Sequence, residues 1–364
     1  MLYTIPDYYF DFHCIAERCE DTCCAGWQIV IDKKSLREYR KVKGSYAREL
    51  RKRIHWQKRT FCQDKEKRCA FLNENNLCDL YTNLGAKSLC RTCRMYPRHV
   101  EEFENVREIS LSASCPEVAR MLMEREAPVH FRTFEKKGEE SWDDFDPFLF
   151  SVLQDAREGM FQILQNRDLD ILIREKLVLG MAHDIQGRVS RGKMFECLEV
   201  IERYQTDKAA VFAQKIVCKE EPIWPWKRFL KLFRFERLRD DWEMLLVEAE
   251  TLLYKDGETA YWYKRKEFDR WTKEQMPLWE VHIEQLLIYF LFTYFVGAVY
   301  DGNIYAKTRM CVSFAELVRE IWMAAWLRNG KQLELEEMTE LLYRFSREME
   351  HSDKNLKTAE KIML

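Results

Sequence analysis

Residues 12–24 read FHCIAERCEDTCC and place four cysteines, Cys14, Cys19, Cys23 and Cys24, in one short stretch. Thiolates are soft ligands that suit zinc and iron–sulfur clusters, and several of them within one loop close a coordination sphere at a small entropic cost. This density predicts that the stretch is organised around metal. Because adjacent side chains usually diverge, we expect one of Cys23 and Cys24 to bind metal and the other to pack or to serve a second role.

The remaining cysteines are unevenly distributed. Ten of the 13 lie between Cys14 and Cys115, and only Cys197, Cys218 and Cys311 are scattered through the rest of the chain. A secreted disulfide framework would explain the cluster, but residues 1–14 show no basic and apolar signal segment, and the cysteine number is odd. We therefore expect a cytoplasmic protein with reduced thiols, in which the three scattered cysteines are small buried hydrophobic side chains.

A second group of cysteines follows the first, at Cys69, Cys78, Cys90, Cys93 and Cys115. Only Cys90 and Cys93 have the two-residue spacing that is common in zinc and cluster sites. Residues 73–76 (NENN) predict a tight turn that brings Cys69 and Cys78 together. Because there are more than four candidate thiols and no Cys/His pair of the zinc-finger type, the pattern favours an iron–sulfur cluster over zinc.

Composition divides the chain near residue 120. Residues 1–120 are rich in cysteine and turn-forming residues and include a predicted helix whose N-cap is Ser35, with Glu38 completing a capping box. Residues 121–364 carry apolar residues at helical spacing. Strand signals are few. Helices are predicted at 117–126, 148–165, 169–186, 194–204, 226–253, 281–300, 313–327 and 333–350. We therefore predict a mainly α fold, in which an irregular cysteine-rich metal-binding domain packs on a C-terminal multi-helix domain with a substrate or partner groove.

Net charge and hydropathy limit the classes of partner that we expect for this chain. The formal net charge is −2, so no field of the whole chain favours nucleic acid. The most apolar stretch, residues 286–300, falls short of the roughly 20 residues that span a bilayer, so we interpret it as a core helix and expect no membrane insertion. Two familiar cofactor loops are missing from the sequence. A radical-type cluster loop starting at Cys19 and Cys23 would need a third cysteine at Gly26, and no G-x-G pair marks a nucleotide loop.

Four phrases of the N-terminal third, in the same order, resemble the flagellin lysine N-methylase family. The first runs from FHC at 12–14 through CEDTCC at 19–24 and GW at 26–27 to ID at 31–32. The others are CAFL at 69–72 with Cys78 after it, TCRMYPR at 92–98, and SCPEVAR at 114–120. Together these motifs cover about the first 120 residues.

The resemblance implies an enzyme that moves a methyl group from S-adenosylmethionine to surface lysines of flagellin and carries a 4Fe-4S cluster. Tyr96 and Arg98, which follow Cys93 closely, are candidates for cofactor binding, and no catalytic base is evident. Cys62 and Cys90 lie outside the family pattern. Four of the eight cysteines within it are expected to ligate one cluster: Cys14, Cys19, Cys23, Cys24, Cys69, Cys78, Cys93 and Cys115.

Two other functions fit the same residues. A non-catalytic scaffold would hold zinc, and an iron–sulfur redox or sensor protein would hold a cluster without transferring methyl groups. Brown colour in anaerobically purified protein indicates a cluster, whereas colourless protein with stoichiometric zinc indicates the scaffold.

Overall fold

The computed structural model describes residues 1–138, 146–219 and 223–363, and over these residues the fold is mainly α-helical, as predicted. The helices before residue 124 are α1 (Lys33–Lys41), α2 (Tyr46–Lys52), α3 (Asp79–Leu84), α4 (Arg91–Met95) and α5 (Pro116–Met123). The later helices are α6 (Pro147–Leu164), α7 (Ile171–Val189), α8 (Cys197–Tyr204), α9 (Asp207–Lys219), α10 (Trp226–Phe229), α11 (Asp240–Tyr254), α12 (Glu258–Gln275), α13 (Trp279–Tyr294), α14 (Ile304–Arg328), α15 (Leu335–Glu350) and α16 (Asp353–Ile362).

A four-stranded sheet, for which the sequence gives little signal, lies in the N-terminal part. Its strand order is β4-β5-β1-β6, and a separate pair of two-residue strands, β2 and β3, lies between α2 and α3. The first strand runs parallel to β5 and antiparallel to β6. The strands are β1 (Leu2–Pro6), β2 (Ile54–His55), β3 (Thr60–Phe61), β4 (Arg98–Phe103), β5 (Val106–Leu111) and β6 (Phe131–Glu135).

Two separate apolar clusters hold the molecule together. The main core joins helices α5 to α16 with the sheet, and it includes Phe103 and Leu111 from the hairpin of β4 and β5. The small apolar cluster lies wholly within residues 11–97, the cysteine-rich segment. Its buried members are Ile29, Ile31, Leu36, Tyr39, Leu50, Ile54, Phe61, Cys69, Phe71, Leu80 and Cys90. The domain boundary at residue 120 stays a prediction, although β6 beyond it pairs with β1.

The helical region (residues 147–363) is built around α13 and α14. Most residues of these two helices are buried, including the fully enclosed Phe290, Trp322 and Trp326. The segment Trp279–Val299 is long and apolar enough to cross a membrane by length and composition, and 89% of its most apolar window is buried inside the protein. Its burial matches the core helix predicted for this stretch.

The start of α1 differs from the predicted one. Asp32, not Ser35, is the N-cap, and its carboxylate accepts hydrogen bonds from the Ser35 backbone N–H (2.9 Å) and hydroxyl (2.6 Å). The predicted capping box is therefore wrong, because an aspartate three residues earlier satisfies the first free N–H groups. The same carboxylate accepts from the Arg91 N–H at 2.8 Å, so this cap also fixes the start of α4 beside α1.

Buried ion pairs fix the sheet and the cysteine-rich segment to the helices. Arg157 of α6 forms a bidentate pair with Glu108 of β5, with N–O distances of 2.5 and 2.6 Å and both side chains almost fully enclosed. Elsewhere, Arg347 of α15 donates to the Ser114 carbonyl (2.8 Å) and pairs with Asp21 (2.7 Å). The second contact places the end of α15 directly against the first cysteine loop.

Candidate functional site

The first cysteine loop turns sharply between Cys19 and Trp27. The Thr22 hydroxyl accepts a hydrogen bond from the Cys24 N–H (3.2 Å), and the Trp27 indole N–H donates to the Cys23 carbonyl (2.8 Å). Gly26 has φ +87°, a conformation that side-chain-bearing residues rarely adopt, and it allows the chain to turn here. The loop thereby presents Cys23 and Cys24, both half-buried, on neighbouring sides of one tight turn.

Five thiols meet in or against the small apolar cluster, and we call them the inner thiol group: Cys24, Cys69, Cys78, Cys90 and Cys93. The Cys69 N–H donates to the Cys24 carbonyl at 2.7 Å, and the Cys90 thiol donates to the Cys93 sulfur at 3.6 Å. The predicted turn at residues 73–76 is present, with the Asn73 side-chain oxygen accepting from the Leu77 N–H at 3.0 Å. Leu72 pairs with Cys78 across it, so Cys78 is brought back beside Cys69.

Four other thiols form the outer thiol group: Cys14, Cys19, Cys23 and Cys115. Cys115 is the N-cap residue of α5 and is buried in the main core. The bridge that Arg347 makes between the carbonyls of Asp21 (2.5 Å) and Ser114 (2.8 Å) holds the first cysteine loop beside Cys115. Arg120 of α5 adds an ion pair with Glu20 at 3.0 Å. Two segments far apart in sequence therefore meet at the outer thiol group.

The pKa values of Cys23 and Cys24 reflect the groups that surround each thiol. A hydrogen bond with Cys24, then burial, raises the pKa of Cys23, and the thiols of Cys115 and Cys14 raise it further. The same hydrogen bond lowers the pKa of Cys24 to about 7 against the effect of burial, with help from Thr22 and Arg68. Cys24 is thus favoured as a thiolate, the form that binds metal.

The donor chemistry of both groups fits a thiolate-ligated metal. The twelve cysteines whose side chains are described are all free thiols. Among the described residues, however, no three His, Cys, Asp or Glu side chains stand as a set that could hold a metal ion. Metal binding therefore stays a prediction, as does the choice between cluster and zinc.

The cysteines outside the two groups differ in position. Cys197 and Cys311 are buried in the main core, as predicted for small hydrophobic side chains, and the Cys311 thiol donates to the Phe290 carbonyl at 3.4 Å. Cys62 is half-buried, with its thiol 3.6 Å from the Lys52 carbonyl. The side chain of Cys218 lies outside the described residues.

Tyr96 and Arg98, the predicted cofactor-binding residues, face different surroundings. The Tyr96 ring lies 6.0 Å from the Trp27 ring and 5.8 Å from the His351 ring, and its hydroxyl is 3.2 Å from Ser114 Oγ. Burial raises the pKa of Tyr96 well above its usual value. Arg98 instead donates to the Tyr9 hydroxyl at 3.0 Å. Tyr96 therefore lies beside the outer thiol group, whereas Arg98 packs on the N-terminal aromatic residues.

A buried hydrogen-bonded chain joins this place to the end of α15. Glu350 accepts from the Ser112 hydroxyl and from the Tyr289 hydroxyl, both at 2.6 Å. Ser112 Oγ lies 2.6 Å from Ser114 Oγ, which in turn lies 2.9 Å from Nε2 of His351. The relay chain, as we call Glu350, Ser112, Ser114 and His351, runs without a break from a carboxylate to an imidazole.

Burial shifts the pKa values of the groups at both ends of the relay chain. Desolvation raises the pKa of the Glu350 carboxyl, so that it holds a proton more readily than an exposed glutamate. Desolvation and the charge of Arg347 lower the pKa of His351 to about 3, so the imidazole is neutral at physiological pH. The His351 ring lies 5.0 Å from the Trp27 ring, with the two planes tilted by 40°. Sequence patterns gave no signal for these residues, because the partners are more than two hundred positions apart.

A cleft of about 560 Å³ opens next to the outer thiol group. Cys19, Glu20 and Gly26 line one side, and Arg239, Asp240 and Asp241 from the start of α11 line the other. Arg239 pairs with both carboxylate oxygens of Asp21, at 2.8 and 2.9 Å. A molecule in this cleft would touch the first cysteine loop and the helical region at once.

Comparison with known proteins points to one family. Residues 157–364 match the family model described as the FliB lysine N-methylase C-terminal domain. The flagellar biosynthetic protein FliU of Salmonella muenchen is 32% identical over 129 residues, which are 33% of this chain and 76% of FliU. Lysine-N-methylases of Salmonella choleraesuis and Salmonella typhimurium are 32% identical over 129 residues, 33% of this chain and 32% of each relative. The match thus spans about a third of those two proteins, and no solved structure matches significantly.

Proposed function

Because this chain belongs to the FliB lysine N-methylase family, we propose that it is a lysine N-methyltransferase. The proposed donor is S-adenosylmethionine, and the proposed substrates are surface lysines of flagellin. One observation carries the proposal. The part that matches the family ends in α15 and α16, and its residues Arg347, Glu350 and His351 contact the cysteine-bearing N-terminal part.

The outer thiol group is the proposed holder of the 4Fe-4S cluster. It lies at the contact between the two parts of the chain, and Cys19 lines the adjoining cleft. When bound, a cluster with an open iron would chelate the amino and carboxylate groups of S-adenosylmethionine, in place of the missing glycine-rich loop. Trp27 and Tyr96 would form aromatic walls beside it.

Methyl transfer requires a neutral lysine amine. The nitrogen forms a bond to the methyl carbon, the carbon–sulfur bond breaks, and S-adenosylhomocysteine leaves, so the ammonium must first lose a proton. The relay chain supplies a route for that proton. The neutral His351 ring accepts it on one nitrogen and releases the proton of the other through Ser114 and Ser112 to the Glu350 carboxylate. The raised pKa of Glu350 suits it to receive the proton.

The test is a methylation assay with anaerobically purified, cluster-bearing protein, S-adenosylmethionine and flagellin, read by mass spectrometry of flagellin peptides. Methylated lysine is the expected product. Replacing His351 by glutamine is expected to lower the rate roughly 10²-fold or more, since general acid–base groups contribute that much. Replacing His183, whose side chain is 74% exposed, by glutamine is the control and leaves the rate unchanged.

Absence of methylated lysine with cluster-bearing protein would overturn the proposal and favour the redox alternative. Colourless protein that contains only zinc and does not methylate flagellin would favour the scaffold. An unchanged rate in the His351→Gln variant would remove the relay chain from the mechanism while leaving methyl transfer in place.

A further inference from the structure

The two thiol groups divide between adjacent residues, Cys23 and Cys24. Cys24 packs against the small apolar cluster that contains Cys69 and Cys90, whereas Cys115 of the outer thiol group is buried in the main core. The pKa values of two tyrosines reflect which thiols lie near each of them. Besides burial, the thiols of Cys90, Cys93 and Cys78 raise the pKa of Tyr39. Burial raises the pKa of Tyr96, Arg347 lowers it, and the thiols of Cys115 and Cys23 raise it further.

One four-thiolate centre cannot use nine thiols. A structural zinc site takes four cysteine ligands and a 4Fe-4S cluster takes at most four, so the inner and outer groups together hold more than twice the thiols that one centre needs. The inner thiol group alone contains five. Two hydrogen bonds hold its backbone segments together, one from the Cys69 N–H to the Cys24 carbonyl (2.7 Å) and one from the Arg91 N–H to the Asp32 carboxylate (2.8 Å).

We propose that the inner thiol group binds a second, structural metal centre through four of its five thiolates, separate from the cluster assigned to the outer thiol group. Cys69 and Cys90 are buried, and Phe61 and Phe71 pack in the same cluster, so this centre is closed to substrate. The proposed function needs only the outer thiol group, so this inference goes beyond it. The Cys23–Cys24 peptide joins the two centres.

The chemistry of the second centre is that of a closed four-thiolate site, which accepts either Zn²⁺ or a second iron–sulfur cluster. Both would cross-link the first cysteine loop to the turn at residues 73–76 and to α4. Such a link stabilises a segment whose apolar cluster is small, in the way that structural zinc stabilises small domains.

The experiment compares the metal content of full-length variants purified anaerobically and reconstituted with Zn²⁺ alone or with Fe²⁺ and sulfide. The double variant Cys14→Ser/Cys115→Ser removes two outer thiols. We expect it to lose one centre and to retain one stoichiometric thiolate-ligated metal centre, seen by elemental analysis and by X-ray absorption at the metal edge. The metal edge that remains distinguishes zinc from iron.

A second pair of variants locates the retained metal. Adding Cys69→Ser to the outer double variant is expected to abolish it, whereas adding Cys62→Ser, a cysteine of the same segment outside both groups, leaves it bound. A metal-free outer double variant with native helical circular dichroism would overturn the proposal, because one centre would then use both groups. Metal that survives Cys69→Ser would overturn it as well. Neither readout uses S-adenosylmethionine or flagellin, so this failure is distinct from failure of the proposed function.

Discussion

In the helical region the largest side chains, such as Trp322, Trp326 and Phe290, are fully enclosed among long helices. In the cysteine-rich segment, Phe61 and Phe71 are fully enclosed, the first on a two-residue strand and the second in a turn, and the helices are nine residues long or shorter. Long helices with a large core are stable through apolar burial, whereas short elements around a small cluster need another source of order. We propose that metal bound by the thiol groups is that source.

The largest effect of a single substitution is expected in the helical core. Trp322 is 0% exposed, and its indole N–H donates to the Met338 carbonyl at 3.0 Å. Replacing it by alanine should lower the free energy of unfolding by about 3–5 kcal/mol, measured by denaturant titration with circular dichroism. Phe195→Ala is the control, because that side chain is 92% exposed and should change stability by less than about 0.5 kcal/mol. A small loss at Trp322 would contradict a core-dominated helical region.

A substitution at the contact between the two regions should lower the free energy of unfolding nearly as much. The Arg347 side chain is only 4% exposed and pairs with Asp21, so Arg347→Ala leaves polar groups buried without their partner. We expect a loss of about 3 kcal/mol in the free energy of unfolding. Arg344→Ala, one turn earlier on α15 with more exposed partners Asp241 and Glu340, should cost about 1 kcal/mol or less. Equal losses in the two variants would show that Arg347 is not the anchor of the first cysteine loop.

The stability cost of removing an aspartate N-cap can be compared directly between the two regions. Asp146 caps α6 by accepting from the Phe148 and Leu149 N–H groups, and Asp146→Ala should cost about 1 kcal/mol. Asp32 caps α1 and also accepts from the Arg91 N–H, so Asp32→Ala should cost about 2 kcal/mol. Hydrogen exchange of the α4 amides should rise only in the Asp32 variant. Unchanged exchange there would mean that the cap does not tie α4 to α1.

The smallest effect is a pH dependence in the helical region. Burial lowers the pKa of His282 on α13 to about 4, against an unfolded value of about 6.5. The unfolded chain therefore binds the proton first, and stability is full above pH 6.5 and is lost as the pH falls towards 4. Between pH 7.5 and 5.5 we expect a loss of about 1 kcal/mol from this group. His282→Gln should flatten the curve by that amount, and an unaltered slope would contradict the assignment.

Much of the architecture follows from local patterns. Apolar residues at helical spacing predicted most of the later helices, including the buried stretch at 281–300, because one face or the whole surface of each helix must enter the core. They did not predict α9, α12 and α16, and the single helix predicted at 226–253 is divided into α10 and α11. The turn at residues 73–76 was predicted as well, since asparagine side chains bond to nearby backbone groups. The resemblance read from four N-terminal phrases is confirmed by the family match in the other half of the chain.

Contacts between residues far apart in the sequence could not be predicted from such local patterns. The pairing of β1 with β5 joins Leu2 to Val106, and no local signal reports a partner so far away. The N-cap of α1 was placed at Ser35 because Glu38 completed a capping box, but the helix begins three residues earlier, where Asp32 accepts from the Ser35 N–H. Glu350 and His351 become candidates only once Ser112 and Ser114 lie next to them. The division of the thiols between two groups likewise depends on tertiary packing.

Hydrogen–deuterium exchange of the metal-loaded protein, before and after treatment with a chelator under anaerobic conditions, tests the difference between the two regions most directly. If thiolate–metal bonds order the cysteine-rich segment, the amides of α1 to α4 should lose their protection on chelation, while those of α13 and α14 keep it. Retained protection of α1 to α4 in the metal-free protein would contradict the account.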